Sequence, residues 1–155
     1  MILFAPAVKL NFPKVFWVGI SLLIPLILII RLIIPSKGII PAKGREEQGI
    51  KNPIHQQYDK EDPLHLDKVS IRYLIQIFKH IRKTKKIASK ILVPTIIFQG
   101  TDDKGIDPNG VRSFYNHLES KDKKIILVED GYHALLTDPS FIDKWSILIS
   151  WLKKH

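Results

Sequence analysis

Two short loops in the second half of the chain carry the residues best suited to acid–base chemistry. The first, QGTDDKGIDPNG from Gln99, holds Asp102, Asp103 and Asp107; the second, EDGYH from Glu129, holds Asp130 and His133. A carboxylate that reaches an imidazole orients the ring and stabilises its protonated form, which is what acyl transfer requires of a general base. Residue types alone leave the acid open among the aspartates of the first loop. Loop aspartates also form turns and helix caps, and loop histidines are commonly solvated. There are no cysteines, so neither a disulfide framework nor a thiolate metal site is expected, and the chemistry calls for no cofactor.

These loops need elements to hold them. Val93–Phe98 (VPTIIF) is a β-branched run entered by a proline, and Lys124–Val128 (KIILV) is a second apolar run. Between them, Asp107 and Pro108 predict a helix start running to about Leu118. Phe141, Trp145, Leu148, Ile149 and Leu152 trace one face of a C-terminal helix. Strand, helix, strand, helix with short links predicts an α/β fold with parallel strands, and in such sheets functional residues gather beyond the strands' carboxyl ends.

Further upstream, Met1–Ala7 (MILFAPA) reads as a buried strand stopped by proline. Val15–Pro35 is almost continuously apolar, broken by Ser21 and Arg31, with Gly19 and Pro25 as kink points. It is long enough for a membrane span. The central proline and Arg31 favour a buried or membrane-surface helix instead. Ser36–Pro63 reads as a loop-dominated connection. Ile71, Leu74, Ile75, Phe78 and Ile81 predict an amphipathic helix from about Leu66 to Lys83.

The chain has 155 residues, 45% of them apolar and 25% charged, enough for one core. Its net charge of +9 is concentrated in Lys79, Arg82, Lys83, Lys85, Lys86 and Lys90. Zinc spacing, RNA-binding aromatic motifs and a helix-turn-helix pattern are absent, so nucleic acid is not an expected partner. The basic stretch is a solvated helix face and following turn, or a contact for anionic lipid headgroups beside the apolar segment.

The stretch from Ile91 to Asp138 resembles the end of the monoacylglycerol-lipase and lysophospholipase group of α/β-hydrolases. It contains a strand entered by "VP", the turn Gly100-Thr101-Asp102-Asp103, the turn Ser120-Lys121-Asp122-Lys123, and then Gly131-Tyr132-His133. The resemblance implies Asp103 as the catalytic acid and His133 as the general base. Asp107 is the second candidate for the acid, and Asp102 a turn former. MILFAPAV resembles the strand after the nucleophile-bearing one. The implied fold is a partial α/β-hydrolase: residues 1–8 a core strand, 9–90 an inserted, apolar helical cap, and 91–155 the C-terminal core. Lipid-like acyl esters, of a monoacylglycerol or a lysophospholipid, are the implied substrates.

One element of that family is missing. Its nucleophile sits in a G-x-S-x-G elbow, and no serine of this chain has the flanking glycines. The chain is also shorter than a complete hydrolase with a cap, which exceeds roughly 200 residues. The expectation is therefore a C-terminal part that supplies acid and base and needs a missing N-terminal half. Its location would be cytoplasmic or peripheral to a membrane, contacted through 15–35 and 79–90. The rival expectation is a small membrane-anchored or membrane-surface interaction protein without catalysis.

Overall fold

The computed structural model describes residues 1–11, 14–41 and 46–155, with side chains at 14–18, 20, 31, 46 and 48 outside the description. Its centre is a three-stranded parallel sheet in the order β1 (Ile2–Phe4), β4 (Thr95–Gly100), β5 (Lys123–Val128). Phe4 pairs with Phe98, and Gly100 with Val128. Between β1 and β4 lie α1 (Lys14–Ile33), β2 (Gly38–Pro41), α2 (Glu46–Gly49), α3 (Pro53–Glu61), β3 (Lys68–Ser70), α4 (Ile71–Ile81) and α5 (Thr84–Ala88). After β4 come α6 (Pro108–Asn116), β5, two 3₁₀ turns at Leu135–Thr137 and Pro139–Lys144, and α7 (Trp145–Lys154). The α/β class expected from the alternation of elements is the class observed.

The period-two alternation of β4 sorts its side chains to two faces. Ile96 and Phe98 point to a core with Val128, Leu135, Phe141, Leu148 and Trp151. Ile97 points the other way, to Ala88, Ile106, Val111, Phe114 and Leu118. Every β4 residue is buried, which is why Thr95–Phe98 is a continuous β-branched and aromatic run. Phe4 stacks on Phe98 at 5.3 Å between ring centroids, and Phe141 meets Phe98 edge-on at 5.1 Å. Burial of each such ring contributes about 2–3 kcal/mol, so this aromatic trio anchors β1 to β4 and to the 3₁₀ turn.

The intervening segment departs from expectation in two places. Ser36–Pro63 is not mainly loop. Asn52 caps α3 by accepting the Ile54 N–H at 3.0 Å, with Pro53 in the first turn, and β2 pairs antiparallel with β3. The amphipathic helix begins at Ile71 rather than near Leu66, because Lys68–Ser70 is committed to that strand pair. Ser70 then caps α4 by accepting the Tyr73 N–H at 3.1 Å. Residues 12–13 and 42–45, inside the stretch expected to form a cap, lie outside the described residues, as does the side chain of Arg31.

The apolar run expected to be helical is α1, with Pro25 inside it. Its described leucines and isoleucines stay largely uncovered, so the helix is not the buried one that the sequence allowed: Leu22 is 79% exposed and Leu32 86%. Taken over the described residues, no helix is long and apolar enough to cross a membrane.

Candidate functional site

Asp103 and His133 come together at the carboxyl end of the sheet. Asp103 lies in the turn after β4 with its side chain fully buried, and His133 lies in the loop after β5 with its ring 45% exposed. The imidazole Nδ1 donates to Asp103 Oδ2 at 2.9 Å. Three further donors hold the carboxylate. The backbone N–H groups of Gly105 and Ile106 each reach Oδ1 at 2.8 Å, and Gln99 Nε2 reaches Oδ2 at 3.1 Å. Gln99 Nε2 also donates to the Gly100 carbonyl at 3.0 Å, so two acceptors fix the amide's orientation.

Burial alone would raise the Asp103 carboxyl, but the His133 hydrogen bond, the Ile106 amide, the His133 charge and the Gln99 amide together hold it below its ordinary value. The hydrogen bond to Asp103 raises His133 above its ordinary value; burial opposes this and the Asp103 charge reinforces it. Asp103 is thus ionised and acceptor-only, which places the ring proton on Nδ1 and turns the lone pair of Nε2 outward. Nε2 makes no hydrogen bond among the described residues. A group reacting at this site would meet a basic nitrogen whose tautomer is already set.

Two glycines allow the loops to lie this close. A Cβ on Gly100 would fall 2.2 Å from the Gly131 carbonyl oxygen and 2.5 Å from that of Tyr132. A Cβ on Gly131 would fall within 3.0 Å of Val128 and Leu135. Gly100 of G-x-x-D thus packs directly against the Gly131–Tyr132 backbone of G-x-H, while Gly131 is crowded by Val128 and Leu135. Three hydrogen bonds stitch the contact between the loops: Thr101 N–H to the Val128 carbonyl (3.0 Å), Asp102 N–H to the Gly131 carbonyl (3.0 Å), and Asp130 N–H to Thr101 Oγ1 (2.9 Å). The described residues with positive φ other than glycine are Ala5 at 39° and Asp130 at 52°. One follows β1 and the other β5, at the same end of the parallel sheet, where functional strain tends to collect.

The other candidates go elsewhere. Asp107 caps α6 through the Asn109 N–H at 2.8 Å and pairs with Lys9 at 2.7 Å, with no hydrogen bond to His133. Asp102 contributes backbone to the stitched contact. Gln99 and Thr101 are site residues that reading for chemistry passed over. Gln99 carried a legible signal, a polar residue inside a buried β-branched strand directly before the acid's turn.

Comparison with known proteins places this geometry in context. A family model described as Hydrolase_4, serine aminopeptidase S33, matches residues 1–140. Phospholipase YtpA of Bacillus subtilis is 30% identical over 94 residues, covering 60% of this chain and 36% of that protein. A monoglyceride lipase homolog of Monkeypox virus is 31% identical over 84 residues, covering 54% of this chain and 30% of that one. The chain therefore spans about a third of the length of these relatives. Among solved structures, the Paleococcus ferrophilus monoacylglycerol lipase superposes with a TM-score of 0.80 at 24% identity, over 99% of this chain and 58% of that one. A soluble variant of the Saccharomyces cerevisiae monoglyceride lipase, in complex with a substrate analog, gives 0.76 at 22%, over 99% and 55%.

Proposed function

The chain belongs to the serine aminopeptidase S33 family of α/β-hydrolases, and we propose that it supplies the acid and the base, Asp103 and His133, of a site that cleaves acyl esters of lipid-like substrates. The observation that carries this is the buried Asp103 carboxylate on His133 Nδ1 at 2.9 Å, with the imidazole itself partly exposed. A monoacylglycerol or a lysophospholipid is the substrate class that the lipase and phospholipase relatives favour. In this reading residues 1–8 and 91–155 form the hydrolase core and 9–90 the cap.

The chemistry assigned to this chain is proton handling. His133 Nε2 takes the proton of a serine hydroxyl as its oxygen attacks the ester carbonyl, and Asp103 stabilises the resulting imidazolium. The imidazolium returns the proton to the departing alkoxide as the carbonyl–oxygen bond breaks. A water molecule, deprotonated by the same nitrogen, then releases the fatty acid and regenerates the serine. None of the chain's serines stands in G-x-S-x-G, so in this proposal the nucleophile and the oxyanion-binding amides come from polypeptide outside these 155 residues.

The test is to join the chain to the G-x-S-x-G-bearing part of a family member and measure monoacylglycerol and lysophospholipid hydrolysis. By itself the chain should leave a fluorophosphonate serine probe unreacted. Joined, it should hydrolyse ester, and Asp103→Asn or His133→Ala should each lower turnover by about 10³-fold or more. Full activity in Asp103→Asn would overturn the assignment.

The exposed apolar side chains of α1 favour a second role, docking on a membrane surface with the basic Lys79–Lys90 stretch against anionic headgroups. Flotation with anionic vesicles, compared with neutral ones, tests it. Vesicle binding by a joined protein that shows no esterase activity even with Asp103 and His133 intact would favour the non-catalytic interaction protein over the hydrolase.

A further inference from the structure

We propose that Lys51 is a positioning residue for His133, clamping the Asp130–His133 turn from the outside so that the imidazole stays seated on Asp103. The proposal rests on reading His133 as the base. The turn is strained, because Asp130 is a non-glycine residue at φ 52°. On its inner side the stitched contact with Thr101 and Asp102 restrains it. Its outer side has no such partner within the sheet, and the intervening segment provides one. Lys51 Nζ donates to the Asp130 carbonyl at 2.8 Å and to Ser140 Oγ at 2.9 Å, and lies 5.8 Å from the Tyr132 ring centroid.

The neighbouring backbone acts in the same sense. The Gly49 carbonyl accepts the Ala134 N–H at 2.9 Å, and Gln56 Nε2 donates to the Ile50 carbonyl at 2.6 Å, fixing the chain between the two clamps. The restraints therefore fall on Asp130 and Ala134, on either side of His133 in the chain. A lysine on a solvated face would leave its ammonium in water. This one is half-buried, and its hydrogen bonds reach a loop far away in sequence.

A simple charge effect and a positioning effect have opposite signs. A nearby cation disfavours imidazolium, so if Lys51 acted only through its charge, removing it would make His133 more basic. If Lys51 positions the turn, removing it loosens the ring from Asp103 and makes His133 less basic. Besides Asp103 and Lys51, the charged residues on the elements packed around the turn are Asp102, Lys104, Glu129, Asp130, Asp138, Asp143 and Lys144, with Glu46 and Glu47 on α2. All of them remain in every variant below.

The experiment is an NMR titration of the His133 imidazole in the full chain, solubilised in mild detergent. Lys51→Met should weaken proton binding at His133 by on the order of threefold, and Lys51→Arg should restore most of it. In an Asp103→Asn background, Lys51→Met should have no further effect. An unchanged or strengthened affinity in Lys51→Met would overturn the proposal. Should Lys51→Met fail to fold, Ser140→Ala removes one acceptor of the clamp and keeps the charge. Its expected shift is also downward, and no shift would overturn the proposal equally. If Asp103→Asn itself left the His133 titration unmoved, the acid–base reading would fall, an outcome distinct from failure of the clamp.

Discussion

Substituting Gly100 by alanine should do more damage than its single added methyl group implies. The new carbon would sit 2.2 Å from the Gly131 carbonyl oxygen, where a tolerable approach is about 3.3 Å. The obstruction is backbone, so no side-chain rotation relieves it and the two loops must separate by about 1 Å. Three hydrogen bonds span that gap, from Thr101, Asp102 and Asp130. Stretching them, added to the strain of overpacking, should cost about 3 kcal/mol. For a chain of this size that lowers the melting temperature by ~10 °C. The assay is thermal unfolding followed by far-ultraviolet circular dichroism, with the His133 titration measured alongside, because separating the loops also withdraws the ring from Asp103. Gly19→Ala is the internal control. It lies in α1, where no packing neighbour among the described residues comes within 4 Å of its added Cβ, and should be neutral or stabilising by up to about 1 kcal/mol. A Gly100→Ala protein that melted within a degree or two of the parent and kept its His133 titration would refute the interlock.

Stability should also depend on pH through the acid–base pair. His133 is raised, so its contribution is complete below its ordinary value of 6.5 and is lost as pH rises through the higher folded value. Asp103 is lowered, so its contribution is complete above 3.8 and is lost as pH falls through the lower folded value. The stability difference between the parent and Asp103→Asn should therefore be largest between about pH 4 and pH 6.5 and narrow on both sides, as denaturant titrations can check. Asp107→Asn keeps a capping side chain and loses only the pair with the mostly exposed Lys9. It should cost less than about 1 kcal/mol and leave the His133 titration unchanged.

Much of the sheet was legible because its signals are local. The β4 run is buried on both faces, so it announces itself without alternation, and Asp107-Pro108 marks the start of α6 through capping chemistry confined to adjacent residues. The juxtaposition of Asp103 and His133 was reached through the resemblance carried by their flanking glycines. Loop composition alone left three acids open. What escaped depends on contacts between distant parts of the chain. The shortened start of α4 follows from β3 pairing with β2, a choice that Leu66–Ser70 does not record locally. Lys51 looks like one more cation in a Gly-, Pro- and Lys-rich stretch until the fold brings it to the Asp130 carbonyl. The Asn52-Pro53 cap was a local signal, masked by the absence of apolar periodicity in the short α3 that it starts.

The spacing of the two motifs has a physical reading in this chain that does not depend on function. Gly100 is required because the Gly131–Tyr132 backbone occupies the space a side chain would take, and Gly131 because Val128 and Leu135 crowd it from its own side. Asp103 lies three residues beyond one contact point, and His133 two residues beyond the other. Close packing at the glycines thus brings the two side chains within a hydrogen bond's reach, and the Gly105 and Ile106 amides fix the carboxylate once it is there. Asp130, directly before Gly131 at this contact, takes a positive φ of 52°. Thr101 and Asp102 hold the inner side of its turn from β4's own loop, and Gly49 and Lys51 hold the outer side from the segment inserted between β1 and β4. The inserted segment is therefore hydrogen-bonded directly to Asp130 and Ala134, the residues on either side of His133 in the chain.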